Sequence, residues 1–177
     1  GLEEGTIVGM TEQIDFLHLR DFAVSTATRA AELVTTRRAE LVAGDGIAAH
    51  THTKSSDVDP VTEVDTATEE FIATTIRTQR PGDGIFGEEG ANVESTSGVT
   101  WIVDPIDGTV NFLYGVPDYA VSIGAGYQGH LVAGAVVNVA RGRTYAAAAG
   151  QGATVTGPDG IEHALRCGQT QDPALAL

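Results

Sequence analysis

The sequence predicts an α+β fold in which two helices pack on one face of a mostly antiparallel sheet. Three observations carry this. Two stretches, about 10–42 and about 62–80, repeat apolar residues at steps of three and four. From Trp101 onward the chain turns to short β-type runs broken by glycine turns. Helical patterns that precede a run of hairpin-connected strands give helices on one face of an antiparallel sheet.

In chain order, the first helix is drawn by Phe16, Leu19, Ala23, Ala27, Ala30 and Val34. Thr11 or a neighbour is its expected cap, Glu12 suits its positive end, and Gly44-Asp45-Gly46 stops it. The polar segment 46–58 reads as a loop. In the second helix Val64, Ala67, Phe71, Ile72 and Ile76 form the expected buried face, with Thr62 and Asp65 as a capping arrangement. Pro81-Gly82-Asp83-Gly84 ends it. A short strand, Ile85-Phe86-Gly87, runs into Glu88-Glu89, and the Gly-, Ser- and Asn-rich stretch 90–99 reads as a loop. Thr100–Val103 is a compact buried strand ending at Asp104. The stretches 119–125, 131–139, 144–148 and 153–156 are further strands, and Gly157-Pro158-Asp159-Gly160 is a turn. Residues 168–177 read as the start of another element.

Bulk composition excludes several function classes. Of 177 residues, 42% are hydrophobic and 19% charged, as in soluble globular domains. The net charge of −14, from 24 acidic and 10 basic residues, disfavours direct contact with nucleic acid or anionic lipid. It suits a protein that gathers divalent cations but does not by itself show metal binding. Cys167 is the single cysteine, so no intrachain disulfide or multi-cysteine zinc site forms; it reads as a small hydrophobe. Gly1-Leu2-Glu3-Glu4 carries no basic leader segment, and no apolar run reaches the roughly 20 residues that span a bilayer. The expectation is a cytoplasmic protein without membrane contact.

The chemistry concentrates in Asp104-Pro105-Ile106-Asp107-Gly108-Thr109. Two carboxylates stand three residues apart just after a buried strand. A Pro- and Gly-bearing turn brings both to one side, and hard cations such as Mg²⁺ take carboxylate and carbonyl oxygens of this kind. Gly108 permits close backbone approach, and a helix starting near Val110 would aim amides at an anion. Read alone, the same residues equally describe a solvated turn. The context adds Glu88-Glu89 at a neighbouring strand end, where three or four gathered acids repel unless a cation sits among them. Lys54 is the only base between 45 and 76. Asp65, in the first turn of the second helix, reads on its own first as a favourable helix-terminal charge. Asp57 and Asp59 read as loop solvation, and His50 and His52 as solvent-facing.

Together these segments resemble the inositol monophosphatase family, within the lithium-sensitive, magnesium-dependent phosphatase superfamily, in a bacterial, actinobacterial-type form. The resemblance rests on WIVDPIDGTVNF at 101–112, GEE at 87–89, DPVTEVD at 59–65 and FLYGVPDYAVSIG at 112–124. It implies the N-terminal lobe of an αβαβα layered sandwich, with 1–160 as the metal-binding lobe and 161–177 opening a truncated C-terminal lobe. It implies two to three Mg²⁺ ions: Glu88, Asp104 and the Ile106 carbonyl at the first, Asp104 and Asp107 at the second, and Glu88 against a weaker third. The substrate phosphate would lie among Glu88, Ile106, Asp107, Gly108 and Thr109, with Asp65, Thr109 and Glu88 activating water for direct attack. Hydrolysis of a small phosphate monoester, first of all inositol monophosphate, is the implied activity, with a small phosphorylated polyol or sugar as ligand and a homodimer by analogy. Alternatives are fructose 1,6-bisphosphate, histidinol phosphate or adenosine bisphosphate as substrate, or a protein partner of the transcription machinery with dispensable activity. Family members are longer and carry a later Trp-Asp motif that completes the second metal site. The single tryptophan here is Trp101, so that ligand is expected to be missing and apolar surface exposed.

Overall fold

The computed structural model describes residues 14–44 and 60–168. Thr11, Glu12, His50, His52, Lys54, Asp57, Asp59 and the last element expected at 174–177 lie outside the described residues.

Helix α1 spans Phe16–Ala43. Asp15 caps its start: Oδ1 accepts from the amides of Leu17 (2.9 Å) and His18 (3.3 Å). The expected stripe is buried, with Leu19, Ala23, Ala27, Ala30 and Val34 against the sheet. Three alanines in that stripe let the helix lie close to strands β4, β5 and β6, defined below. Helix α2 spans Pro60–Gln79. Proline is well placed at a first helical position, where its missing N–H costs nothing. Thr62 is therefore inside the first turn and not the cap the sequence suggests. The buried face also differs from the apolar reading. Val61, Val64, Asp65, Thr68, Glu69, Ile72, Ala73 and Ile76 face inward, while Ala67 and Phe71 are only half-buried. Two carboxylates thus share the inner face with the aliphatic residues.

The strands are β1 (Gly84–Gly87), β2 (Asn92–Val93), β3 (Val99–Asp107), β4 (Ala120–Tyr127), β5 (His130–Asn138), β6 (Arg143–Ala148), β7 (Gly152–Thr156) and β8 (Glu162–Leu165), with the short helix α3 (Thr109–Tyr114) after β3. They form one sheet in the order β2-β1-β3-β4-β5-β6-β7-β8. Every pairing is antiparallel except β1 with β3, where Gly87 lies opposite Val103. β8, which the sequence reading did not mark as a strand, extends the sheet through Val155 opposite His163.

Helix α1 covers β4 to β6, and α2 packs against β1 and β3. The core lies between, with Trp101, Val121, Ile123, Ala135 and Val137 from the sheet. Trp101 is fixed at both ends: its ring meets Phe22 at 4.9 Å, and its Nε1 donates to Asp83 at 2.8 Å. Asp83 also pairs with Arg80 and accepts from Ser97 Oγ at 2.6 Å. The opposite sheet face bears exposed apolar side chains, among them Phe86, Ile102, Leu131, Val136 and Tyr145.

Candidate metal and phosphate site

Parallel pairing of β1 with β3 builds the site. Because Gly87 is level with Val103, the next residues, Glu88 and Asp104, stand side by side at the same end of the β1–β3 ladder. The Glu88 amide holds the Val103 carbonyl at 3.3 Å.

Asp104 and Asp107 are brought together differently from the expected turn. The segment is a continuation of β3 that carries a β-bulge: Asp104 lies opposite Ser122 and Asp107 opposite Ala120, three residues against two. On a regular strand, residues three apart point to opposite faces. One extra residue reverses the phase and re-aims the side chains. The slip shows in the burial, where Pro105 and Ile106 are buried in succession.

Gly108 then turns the chain into α3 with φ +87°. A Cβ there would also lie 2.9 Å from the Asp118 carbonyl oxygen, so glycine is required twice over. Thr109 opens α3, and its hydroxyl donates to the Ile106 carbonyl at 3.0 Å. The far side is braced by Asn111 Nδ2 on the Asp118 carbonyl (2.7 Å) and by the Arg141–Asp118 ion pair (3.0 Å).

Asp65 reaches the same cluster from α2 and is 7% exposed. Its carboxyl is pushed up to about 7, mainly by burial, then by the charges of Glu89, Asp104, Glu88 and Glu69. Asp104 is also pushed up to about 7, by burial first, then by Glu88 and Asp107, with the Ile106 backbone acting in the opposite sense. One oxygen of Asp104, Oδ1, is buried with no hydrogen-bond partner among the described residues. The structure therefore gathers Asp65, Glu88, Asp104 and Asp107 into one field, with Ile106, Gly108 and Thr109 beside them. Among the described residues, no three Asp, Glu, His or Cys side chains stand close enough to enclose an ion as placed. Glu88 and Asp107, whose charges act on Asp104, are both exposed. The donor set is hard oxygen throughout, and the unsatisfied Asp104 oxygen is a group that a dication would complete, so these residues fit Mg²⁺.

Glu69 is the residue that sequence reasoning missed. It lies one turn beyond Asp65 on the buried face of α2, and its oxygens accept from the amides of Glu89 (2.7 Å) and Ala91 (2.8 Å). The signal was present as two acids four residues apart on a helix whose apolar stripe is narrow. A concavity of about 520 Å³ on the opposite face of the sheet is lined by Gly124, Leu131, Val136 and Tyr145 among others, without an acidic residue, and offers no such chemistry.

Comparison with known proteins agrees with this architecture. The inositol monophosphatase family model matches residues 16–175. The inositol-1-monophosphatase SuhB of Mycobacterium tuberculosis is 50% identical over 168 residues, which cover 90% of this chain and 57% of that protein. The solved structure of Mycobacterium tuberculosis SuhB superposes with a TM-score of 0.74 at 44% identity, over 90% of this chain and 56% of that one. SaIMPase-II with inositol monophosphate bound gives a TM-score of 0.59 at 31% identity, over 78% of this chain and 46% of the other. The chain thus spans a little over half the length of its curated mycobacterial relative. Among the described residues no helix is long and apolar enough to cross a membrane. With the family model matching from the first turn of α1 to beyond β8, the chain belongs to the inositol monophosphatase family.

Proposed function

We propose that this site hydrolyses a small phosphate monoester, inositol monophosphate before others, as a cytoplasmic Mg²⁺-dependent enzyme. The observation that carries this is Asp104: a half-buried carboxylate with one buried, unpartnered oxygen, set beside Glu88 and Asp107. A buried carboxylate oxygen left without a partner is costly, and a coordinated dication would remove both that cost and the mutual repulsion. Glu88, Asp104, Asp107 and the Ile106 carbonyl would hold two to three ions. Mg²⁺ there would supply Lewis acidity toward phosphoryl oxygens and ease the ionisation of water.

The chain's own groups have distinct tasks. Asp65 has a carboxyl poised near neutrality on the rigid inner face of α2, which suits a base that takes a proton from the attacking water. The Thr109 hydroxyl is oriented by its bond to the Ile106 carbonyl, leaving its oxygen able to accept from that water. Amides in the first turn of α3, which lack intrahelical partners, face developing negative charge on the phosphate. Among the described residues the cluster offers carboxylates and a hydroxyl but no histidine or thiol, which supports direct attack by water. The inositol monophosphate bound to SaIMPase-II and the name of the mycobacterial relative support the substrate class. A homodimer is proposed by family analogy alone and is checked by light scattering.

The test is inorganic phosphate release from inositol monophosphate, fructose 1,6-bisphosphate, histidinol phosphate and adenosine bisphosphate, with Mg²⁺ or with EDTA. Fastest release from inositol monophosphate, abolished by EDTA, is expected. Release that persists in EDTA overturns the proposal.

A further inference from the structure

We propose that Glu69 is a positioning residue that fixes the Glu88-Glu89 loop against Asp65, and so sets the spacing of the Mg²⁺ ligands without binding the ion itself. This rests on the function proposed above.

Glu69 is 3% exposed on α2, one turn from Asp65. Both carboxylate oxygens are engaged by backbone: Oε2 by the Glu89 amide at 2.7 Å and Oε1 by the Ala91 amide at 2.8 Å. Charge-assisted bonds of this length are strong and directional. They turn the carboxylate toward the loop, and the loop begins at Gly87 and carries Glu88. The loop closes onto the carboxylate with no side chain between. A Cβ at Gly87 would lie 2.5–2.6 Å from the Glu69 carboxyl carbon and both oxygens. Asp65 and Glu69 stand at i and i+4 on one helix face, so one rigid element both presents Asp65 and grips the loop that presents Glu88.

A surface acid would add little to such an arrangement. A buried carboxylate in an already acidic field is retained at a cost, since its charge also raises Asp65. Two backbone donors offset that cost only in this loop geometry. Partners that orient metal ligands from behind commonly change affinity by roughly 10–100-fold when altered.

The experiment titrates Mg²⁺ by calorimetry into wild-type protein and into Glu69→Gln, which keeps the shape but sets an NH₂ against an amide donor. Gly87→Ala presses the same contact from the loop side, and Glu70→Gln, on the exposed neighbour, is the control. Glu69→Gln and Gly87→Ala are expected to weaken Mg²⁺ binding about 10-fold at a temperature where circular dichroism shows them folded. Glu70→Gln is expected to bind as wild type. The Mg²⁺ concentration for half-maximal phosphate release should rise in parallel. Folded Glu69→Gln that binds Mg²⁺ as wild type does overturns the positioning role and leaves a purely structural one. If Glu69→Gln does not fold, Gly87→Ala decides by the same criterion. Wild-type protein that takes up no Mg²⁺ overturns both this inference and the metal reading beneath it.

Discussion

Replacing Gly108 by alanine tests whether the turn between β3 and α3 is held as rigidly as its contacts imply. The backbone there has φ +87°, a left-handed conformation that costs an L-residue about 1–2 kcal/mol. Alanine also restricts the unfolded chain, which offsets roughly 0.5–1 kcal/mol. The contact adds to the net strain, because the new Cβ would sit 2.9 Å from the Asp118 carbonyl oxygen. That carbonyl cannot retreat freely. It accepts from Asn111 Nδ2 at 2.7 Å, and Arg141 Nε holds the preceding Pro117 carbonyl at 3.1 Å. Moving it costs about one hydrogen bond, or roughly 1 kcal/mol, plus local repacking. The expected loss is about 1–2.5 kcal/mol, which lowers Tm by roughly 2–10 °C in a chain of this size. Gly129 is the comparator. Its φ is +79°, but a Cβ there meets nothing within 4 Å, so Gly129→Ala carries the conformational term alone. Thermal and urea unfolding of both variants reads the difference. Equal destabilisation of Gly108→Ala and Gly129→Ala would refute the reasoning that close approach, and not φ alone, demands glycine at 108.

Further expectations concern the buried polar groups. Asp83→Asn breaks the Arg80 ion pair and weakens the bond from Trp101, so urea unfolding should show a loss of about 3 kcal/mol with a changed Trp101 fluorescence maximum. For Asp65 and Asp104 the folded-state pKa near 7 lies above the ordinary carboxylate value. The folded state therefore binds more protons between about pH 4 and 7, and the metal-free chain should lose stability as pH rises through that window. Asp65→Asn should raise Tm at pH 8 and change it little at pH 4, measured in EDTA. Asp15→Ala should cost about 1 kcal/mol in urea unfolding through loss of the α1 cap.

The acidic cluster of the candidate site was largely legible in the sequence, because Glu88 and Asp104 follow strands marked by glycine and by a compact apolar run. Glu88 beside Asp104 followed from adjacency of two short strands, and the structure adds that their pairing is parallel. The β-bulge was not legible. Asp-Pro-Ile-Asp reads as a turn by residue preference, and only the register against β4 shows one extra residue in an otherwise continuous strand. Glu69 was hidden for a related reason. An apolar periodicity search ignores charged residues, yet two backbone donors twenty residues away make this carboxylate a core residue. The first helix was read correctly in its stripe, and the described helix begins at Phe16 behind the Asp15 cap. β8 carries no apolar pattern, being exposed along its length, and forms through the ladder that β7 offers.

The most direct test of the central claim is a calorimetric Mg²⁺ titration of the wild-type protein against Asp104→Asn. If the unpartnered, buried Asp104 oxygen is the anchor of a metal cluster, the wild type takes up Mg²⁺ and the variant, still folded, does not. Equal Mg²⁺ uptake by both proteins, or none by the wild type, would contradict it.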